Sequence, residues 1–208
     1  MENEIVILAN GDFPSHPLPL EILRSGRRII CCDGAVDALV RLGLEPVSIV
    51  GDMDSIDSNL AERYRERIFH IGSQETNDLT KAFNHAVNLQ PEKIFILGAS
   101  GKREDHTLGN ISLLSLYGKH KEIKVEMVTD TGTLIPVYST TTFKAAAGSP
   151  VSVFSLDHKL RMTSEGLMYP IKGVKFDSWW KATLNISVSE QFTLKFRKGR
   201  VIVFIGHK

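Results

Sequence analysis

Short apolar runs rich in β-branched residues recur through the first 130 residues: EIVILA (4–9), RIICC (28–32), VSIV (47–50), RIFHI (67–71), KIFILG (93–98) and IKVEMVT (123–129). Segments of helical period separate them. Over 78–89, for example, Leu79, Ala82, Phe83, Ala86 and Val87 follow the spacing of one buried helix face. Strands that alternate with helices are joined by crossovers, so the pattern predicts a parallel sheet with helices on both faces. Residues 1–132 are therefore expected to form a Rossmann-like α/β domain.

Beyond Asp130-Thr131-Gly132 the texture changes. TFKAA, VSVFSL, FTLKFRK and RVIVFIG are short alternating runs divided by Gly, Pro, Ser and Asp, with no helical period between them. Residues 133–208 are expected to form a small all-β sandwich domain. A chain of 208 residues is long enough to bury a core in each part.

Composition narrows the partners. A formal net charge of +1 offers no basic footprint for nucleic acid. No apolar stretch approaches the roughly 20 residues of a membrane span, and MENEIVILANGD lacks the plan of a leader. Adjacent Cys31 and Cys32 are the only cysteines, and neighbours are bridged only with strain, which favours a reducing cytoplasm.

In open parallel sheets, ligands bind beyond the carboxyl ends of the strands, and here the residues that follow the strands are markedly polar. Strand one is followed by Asn10-Gly11-Asp12, strand two by Asp33-Gly34, and strand three by Gly51-Asp52-Met53-Asp54. Gln74, Asn77 and Asp78 follow strand four, and GASGKREDH (98–106) follows strand five. If these loops share one rim, carboxylates about 4 Å apart repel by roughly 4 kcal/mol per pair at an effective dielectric near 20. A hard divalent cation such as Mg²⁺ removes that conflict. The spacing of Asp52 and Asp54 alone also fits a solvated turn, or a DxD-type glycosyl- or nucleotidyltransferase. A non-catalytic nucleotide-binding module is a further alternative.

Thr76 or Asn77 can cap the next helix and leave its free N–H groups facing a ligand. Asp78 and Lys81 share a face of the first turn, either as an ion pair or divided between metal and phosphate. GASGKRED is not a Walker loop, because only two residues separate Gly98 from Gly101 and Arg103 stands where Ser or Thr is required. Lys102 and Arg103 still offer donors for phosphate oxygens. Asp105 and His106 open the following helix, where both also have structural uses.

CDGAVDAL, VGDMDSI, NDLTKAF, GASGKREDHTLGNISLL and GLMYPI, in this order and spacing, closely resemble the thiamin pyrophosphokinase family. The resemblance implies an α/β domain followed by a β-sandwich, and a homodimer with active sites between subunits. It also implies Mg²⁺-dependent transfer of pyrophosphate from ATP to thiamin, releasing AMP. By matching position it assigns Asp33, Asp52, Asp54 and Asp78 to the metal, with Asp54, Asp78 and Asp105 facing the reacting groups. ATP would be held by Asn10, Gly11, Asp33, Gln74, Asn77, Lys81, Arg103 and His106, and thiamin by Tyr169, Thr183 and Ser187. The chain departs from the family pattern at Asn77 (usually Thr), at Gly34-Ala35 (usually Gly-Gly) and at Ser187-Val188 (usually Ser-Asn).

Overall fold

The computed structural model describes residues 3–207. They form two compact units. One comprises the described residues up to Leu113 together with His120–Asp130, and the other comprises Leu114–Lys119 together with Thr131 onward.

The first unit contains β1 (Glu4–Leu8), α1 (Pro17–Arg24), β2 (Arg28–Cys32), α2 (Ala35–Arg41), β3 (Ser48–Gly51), α3 (Ser58–Arg63), β4 (Ile68–His70), α4 (Asp78–Asn88), β5 (Lys93–Leu97), the first turns of α5 (Glu104–Tyr117) and β6 (Lys124–Val128). The strands lie in the order β6-β5-β1-β2-β3-β4, and every pair is parallel. Val6, Leu8, Ile29, Cys31, Ile49 and Leu97 face one side and pack with Leu23 of α1 and Val36 and Leu39 of α2. The alternate residues face the other side, where α4 lies against β1, β2 and β3. Coverage on both faces explains why these strands read as continuous apolar runs.

The chain builds outward from β1 to β4 and then returns to the opposite side of β1 for β5. The topological switch point therefore lies between β1 and β5, with the loops after both strands at its mouth. Strand boundaries differ slightly from the sequence expectation. Strand three takes in Gly51, and strand four shortens to Ile68–His70 because the chain enters it from a 3₁₀ turn at Arg65–Arg67. Cys31 and Cys32 are both free and buried, and their side chains point to opposite faces of the sheet.

The second unit contains β7 (Gly132–Val137), β8 (Thr141–Lys144), β9 (Pro150–Ser155), β10 (Thr163–Glu165), β11 (Asn185–Ile186), β12 (Gln191–Lys195) and β13 (Val201–Gly206). One antiparallel sheet runs β11-β9-β13-β7 and a second runs β10-β12-β8. Val151, Val153, Val201 and Val203 of the first sheet share a core with Phe143, Phe192 and Leu194 of the second. Phe143 and Phe192 are cross-strand partners whose rings stack 4.9 Å apart. Against the expectation of no helix, Trp179–Ala182 forms one 3₁₀ turn, too short to leave a periodic signal.

Asp130, just after β6, anchors the loop that leads into α1. Its carboxylate accepts hydrogen bonds from the Ser15 and His16 backbone N–H groups at 3.0 Å and from the Ser15 hydroxyl. Burial pushes this carboxyl up, but the donors from Ser15 and His16 outweigh it and hold it below the usual carboxylate range. A depressed carboxylate contributes stability above its unfolded pKa, about 4, and loses it as pH falls through the lower folded value. Asp130→Asn should therefore lower stability at pH 7 by about 1–2 kcal/mol in denaturant unfolding. The gap from wild type should narrow below about pH 4.

Candidate active site

Three carboxylates from two loops converge at the carboxyl rim of the first unit. One oxygen from each of Asp33, Asp52 and Asp54 lies within 4.8 Å of the others. Asp33 directly follows β2 in the left-handed region (φ 35°) and is 2% exposed. Its Oδ2 accepts from the Ser55 backbone N–H at 3.1 Å, while its Oδ1 is buried with no hydrogen-bond partner. Asp52 Oδ2 accepts from Gln74 Nε2 at 3.3 Å, and its Oδ1 is likewise buried and unpartnered. Asp54 Oδ1 accepts from the Ser55 hydroxyl at 2.7 Å.

Two orphaned carboxylate oxygens are costly unless something absent from the protein itself satisfies them. Burial pushes the Asp33 carboxyl up to about 6. The Ser55 N–H opposes that rise, and Asp54 and Asp78 reinforce it. The Ser55 hydroxyl and hydrogen bonding with Asp33 hold Asp54 below the usual range. Burial on one side and the Ser55 hydroxyl on the other set the two shifts, and the hydrogen bond between Asp33 and Asp54 drives them further apart. A hard-oxygen donor set of this kind fits Mg²⁺.

The backbone makes the crowding possible. A Cβ on Gly51 would sit 2.9 Å from the Asp33 Cβ and 3.4 Å from the Asp78 carboxyl, so glycine is what lets those two acids approach. Met53 between the paired aspartates also has positive φ (63°), as does Lys102 (57°) in the loop after β5. Strain of this kind persists where surrounding structure holds it, and here it gathers at the rim.

Asp78 lies beside the three-carboxylate cluster, and its Oδ1 accepts from Lys81 Nζ at 2.9 Å. The Lys81 side chain is 3% exposed, so this ammonium is desolvated and fixed. Asn77 caps α4, its Oδ1 accepting from the Thr80 N–H at 3.0 Å. Thr76, the alternative cap, is not used.

At the switch point the loops after β1 and β5 are tied together. Gly11 N donates to Gly98 O at 2.7 Å and Asp12 N to Ser100 O at 2.8 Å. Lys102 Nζ donates to Asn10 O at 2.9 Å and to Asn10 Oδ1 at 3.1 Å. Only glycine fits at position 11, where a Cβ would lie 2.4 Å from the Ser100 carbonyl. Arg103 and Asp105 form an exposed two-point pair at 3.1 and 2.5 Å, and the arginine's hydrogen bonds hold the Asp105 carboxyl down at about 2. His106 is exposed on the first turn of α5.

In the second unit, Tyr169 is 62% exposed, and its backbone is clamped by Asn185, which accepts from Tyr169 N at 3.0 Å and donates to Tyr169 O at 2.7 Å. Thr183 Oγ1 donates to Trp180 O at 2.7 Å. Ser187 is fully buried and its hydroxyl donates to Ser189 O at 2.8 Å, so it supports the strand rather than presenting a donor to solvent. Reasoning from sequence missed Ser55, which holds both Asp33 and Asp54, and Asn185. A serine directly after the paired aspartates was the available signal for the first; an asparagine in a two-residue strand gave none for the second.

A parallel sheet with a cluster of carboxylates at its carboxyl rim, together with a second, antiparallel β unit, defines a two-unit α/β protein with a candidate metal site. The family model for the thiamin pyrophosphokinase catalytic domain matches residues 20–127, and that for the substrate-binding domain matches residues 132–204. The chain belongs to the thiamin pyrophosphokinase family.

Among curated relatives, the thiamine pyrophosphokinase of Bacillus subtilis is 36% identical over 104 residues, 46% of each chain. Thiamine pyrophosphokinase 1 of rice is 33% identical over 101 residues, 44% of this chain and 37% of its own. These matched stretches span less than half of the relatives' length. The crystal structure of the Bacillus subtilis enzyme superposes with a TM-score of 0.81 at 24% identity, covering 99% of both chains. That of the Candida albicans enzyme gives 0.83 at 18% identity, covering 99% of this chain and 90% of its own. At such identities the likeness establishes the fold.

Asp52→Asn should leave the metal-free fold as stable as wild type or firmer, because repulsion falls while an acceptor for Gln74 remains. Wild type should gain about 2.7 kcal/mol from Mg²⁺ at a hundredfold excess over Kd, and the variant should gain far less. Thermal unfolding with and without MgCl₂ reads both, and a full magnesium shift in the variant would remove Asp52 from the site.

Proposed function

We propose that this protein transfers the pyrophosphoryl group of ATP to the primary hydroxyl of thiamin, giving thiamin diphosphate and AMP. The observation that carries this reading is the convergence of Asp33, Asp52 and Asp54, with two buried oxygens lacking partners, in a chain that both domain models of one family match. Residues 1–132 serve as the ATP and metal domain in this reading, and 133–208 as the thiamin domain.

Asp33, Asp52 and Asp54, with Asp78 beside them, would hold Mg²⁺, which when bound neutralises charge on the phosphate oxygens. Transfer from ATP to an alcohol depends on alignment and on donors aimed at the developing charge. Lys81, buried and fixed, and Arg103, exposed and paired only with Asp105 among the described residues, are suited to the phosphates; Gln74 and the capped N-terminus of α4 add neutral donors.

The thiamin hydroxyl must lose a proton as it attacks. Asp54 and Asp105 both lie below the ordinary carboxylate range, so neither is a strong base as it stands. Drawing Arg103 onto phosphate oxygens removes the main cause of the depression at Asp105 and restores its basicity, which favours Asp105 as the acceptor. Tyr169, clamped by Asn185 and exposed, offers a ring face to the thiazolium cation.

A homodimer belongs to the same reading. Trp180 is 72% exposed, Leu184 86% and Val188 53%, more apolar surface than a solvated loop needs. A cytoplasmic location also belongs to it, supported by the free, buried Cys31 and Cys32. Among the described residues no helix is long and apolar enough to cross a membrane.

Purified protein with ATP, Mg²⁺ and thiamin should release AMP and thiamin diphosphate in equal amounts, and Asp54→Asn should slow this by about 10²-fold or more. Release of a nucleoside diphosphate instead of AMP, or no thiamin-dependent turnover, would overturn the assignment.

A further inference from the structure

Asn110 stands on α5, half-buried, and none of the ligand-holding roles proposed above uses it. Its amide has a partner at each end. Asn110 Oδ1 accepts from Asn77 Nδ2 at 3.0 Å, and Asn110 Nδ2 donates to Ala99 O at 2.9 Å. Asn77 in turn accepts at Oδ1 from the Thr80 N–H at 3.0 Å and the Thr80 hydroxyl at 2.9 Å.

The direction of this relay is fixed by its ends. A backbone N–H can only donate, so the Thr80 amide places the oxygen of Asn77 on the helix side and its NH₂ toward Asn110. A backbone carbonyl can only accept, so Ala99 places the NH₂ of Asn110 on the loop side and its oxygen toward Asn77. Each side chain must accept at one end and donate at the other, which an amide does and a carboxylate does not. The relay joins the N-terminus of α4, which presents Lys81, to the glycine-rich loop after β5, which presents Arg103. It also commits the Asn77 oxygen and one of its two amide hydrogens, which fixes the orientation of that side chain on α4.

We propose that Asn110 is a positioning residue that sets the separation between these two segments and so aligns Lys81 and Arg103 on one polyphosphate. This rests on the pyrophosphokinase reading given above. Asn110→Asp is nearly isosteric and keeps the acceptor for Asn77, but it sets a carboxylate oxygen against the Ala99 carbonyl and pushes the loop away.

The test measures calorimetric binding of a non-hydrolysable ATP analogue with Mg²⁺ to the full chain, well below the unfolding temperature, in wild type, N110D, R103A and the double variant. Alone, N110D should weaken binding about tenfold. It should raise KM for ATP by a similar factor while kcat at saturation changes less than about threefold. On the R103A background it should add less than about twofold, because the separation matters only while both cations are engaged. A residue that only stabilised the fold would lower Tm and leave Kd unchanged.

Wild-type affinity in folded N110D, or full additivity with R103A, overturns the proposal. Should N110D fail to fold, N110A, which removes both hydrogen bonds without adding charge, must show the same pattern. If wild type itself binds no magnesium nucleotide, the pyrophosphokinase reading fails first and takes this role with it.

Discussion

Mutual repulsion among Asp33, Asp52 and Asp54 is the constraint around which the first unit is organised. Carboxylates this close, one of them 2% exposed, oppose folding unless donors or a cation offset them. Ser55 supplies two donors from one residue, its N–H to Asp33 and its hydroxyl to Asp54. That leaves the Oδ1 atoms of Asp33 and Asp52 unanswered. A chain selected only for stability would not retain such atoms, so the deficit marks where a ligand must complete the structure.

Around that deficit the remaining polar groups are largely committed to one another. The loops after β1 and β5 are joined by backbone hydrogen bonds and by Lys102, and the N-terminus of α4 is tied to the second of them through amides. Such commitment lowers the conformational cost of binding, because the donors meant for a ligand are already held in place. Arg103 and Asp105 are the exception. Both side chains are more than 60% exposed, and an ion pair in that setting contributes little, so it yields readily to a stronger anion.

Much of this was legible in the amino-acid order. The continuous apolar runs of β1, β2, β3 and β5 announced a sheet covered on both faces, and the shift to alternation after Gly132 announced antiparallel sheets. Aspartates following β2 and β3 pointed to the rim, since strand order alone brings those ends together. What stayed hidden depends on contacts between residues far apart in the chain. Asn110 to Asn77 spans 33 positions, and Tyr169 to Asn185 spans 16. No local pattern distinguishes an asparagine that bridges two loops from one facing water. The fate of Lys102 was equally illegible: a lysine in a glycine-rich loop suggests phosphate, yet its ammonium is spent on Asn10.

The two cysteines on β2 carry a last consequence. Their sulfurs lie on opposite faces of a central strand, each beneath packed helices, so no intact sheet lets them meet or lets a reagent reach them. Alkylation of either thiol must await the separation of a helix from its own side of the sheet. The pair is thus a built-in gauge of opening, able to tell which face lifts first, with no label to be engineered into the chain.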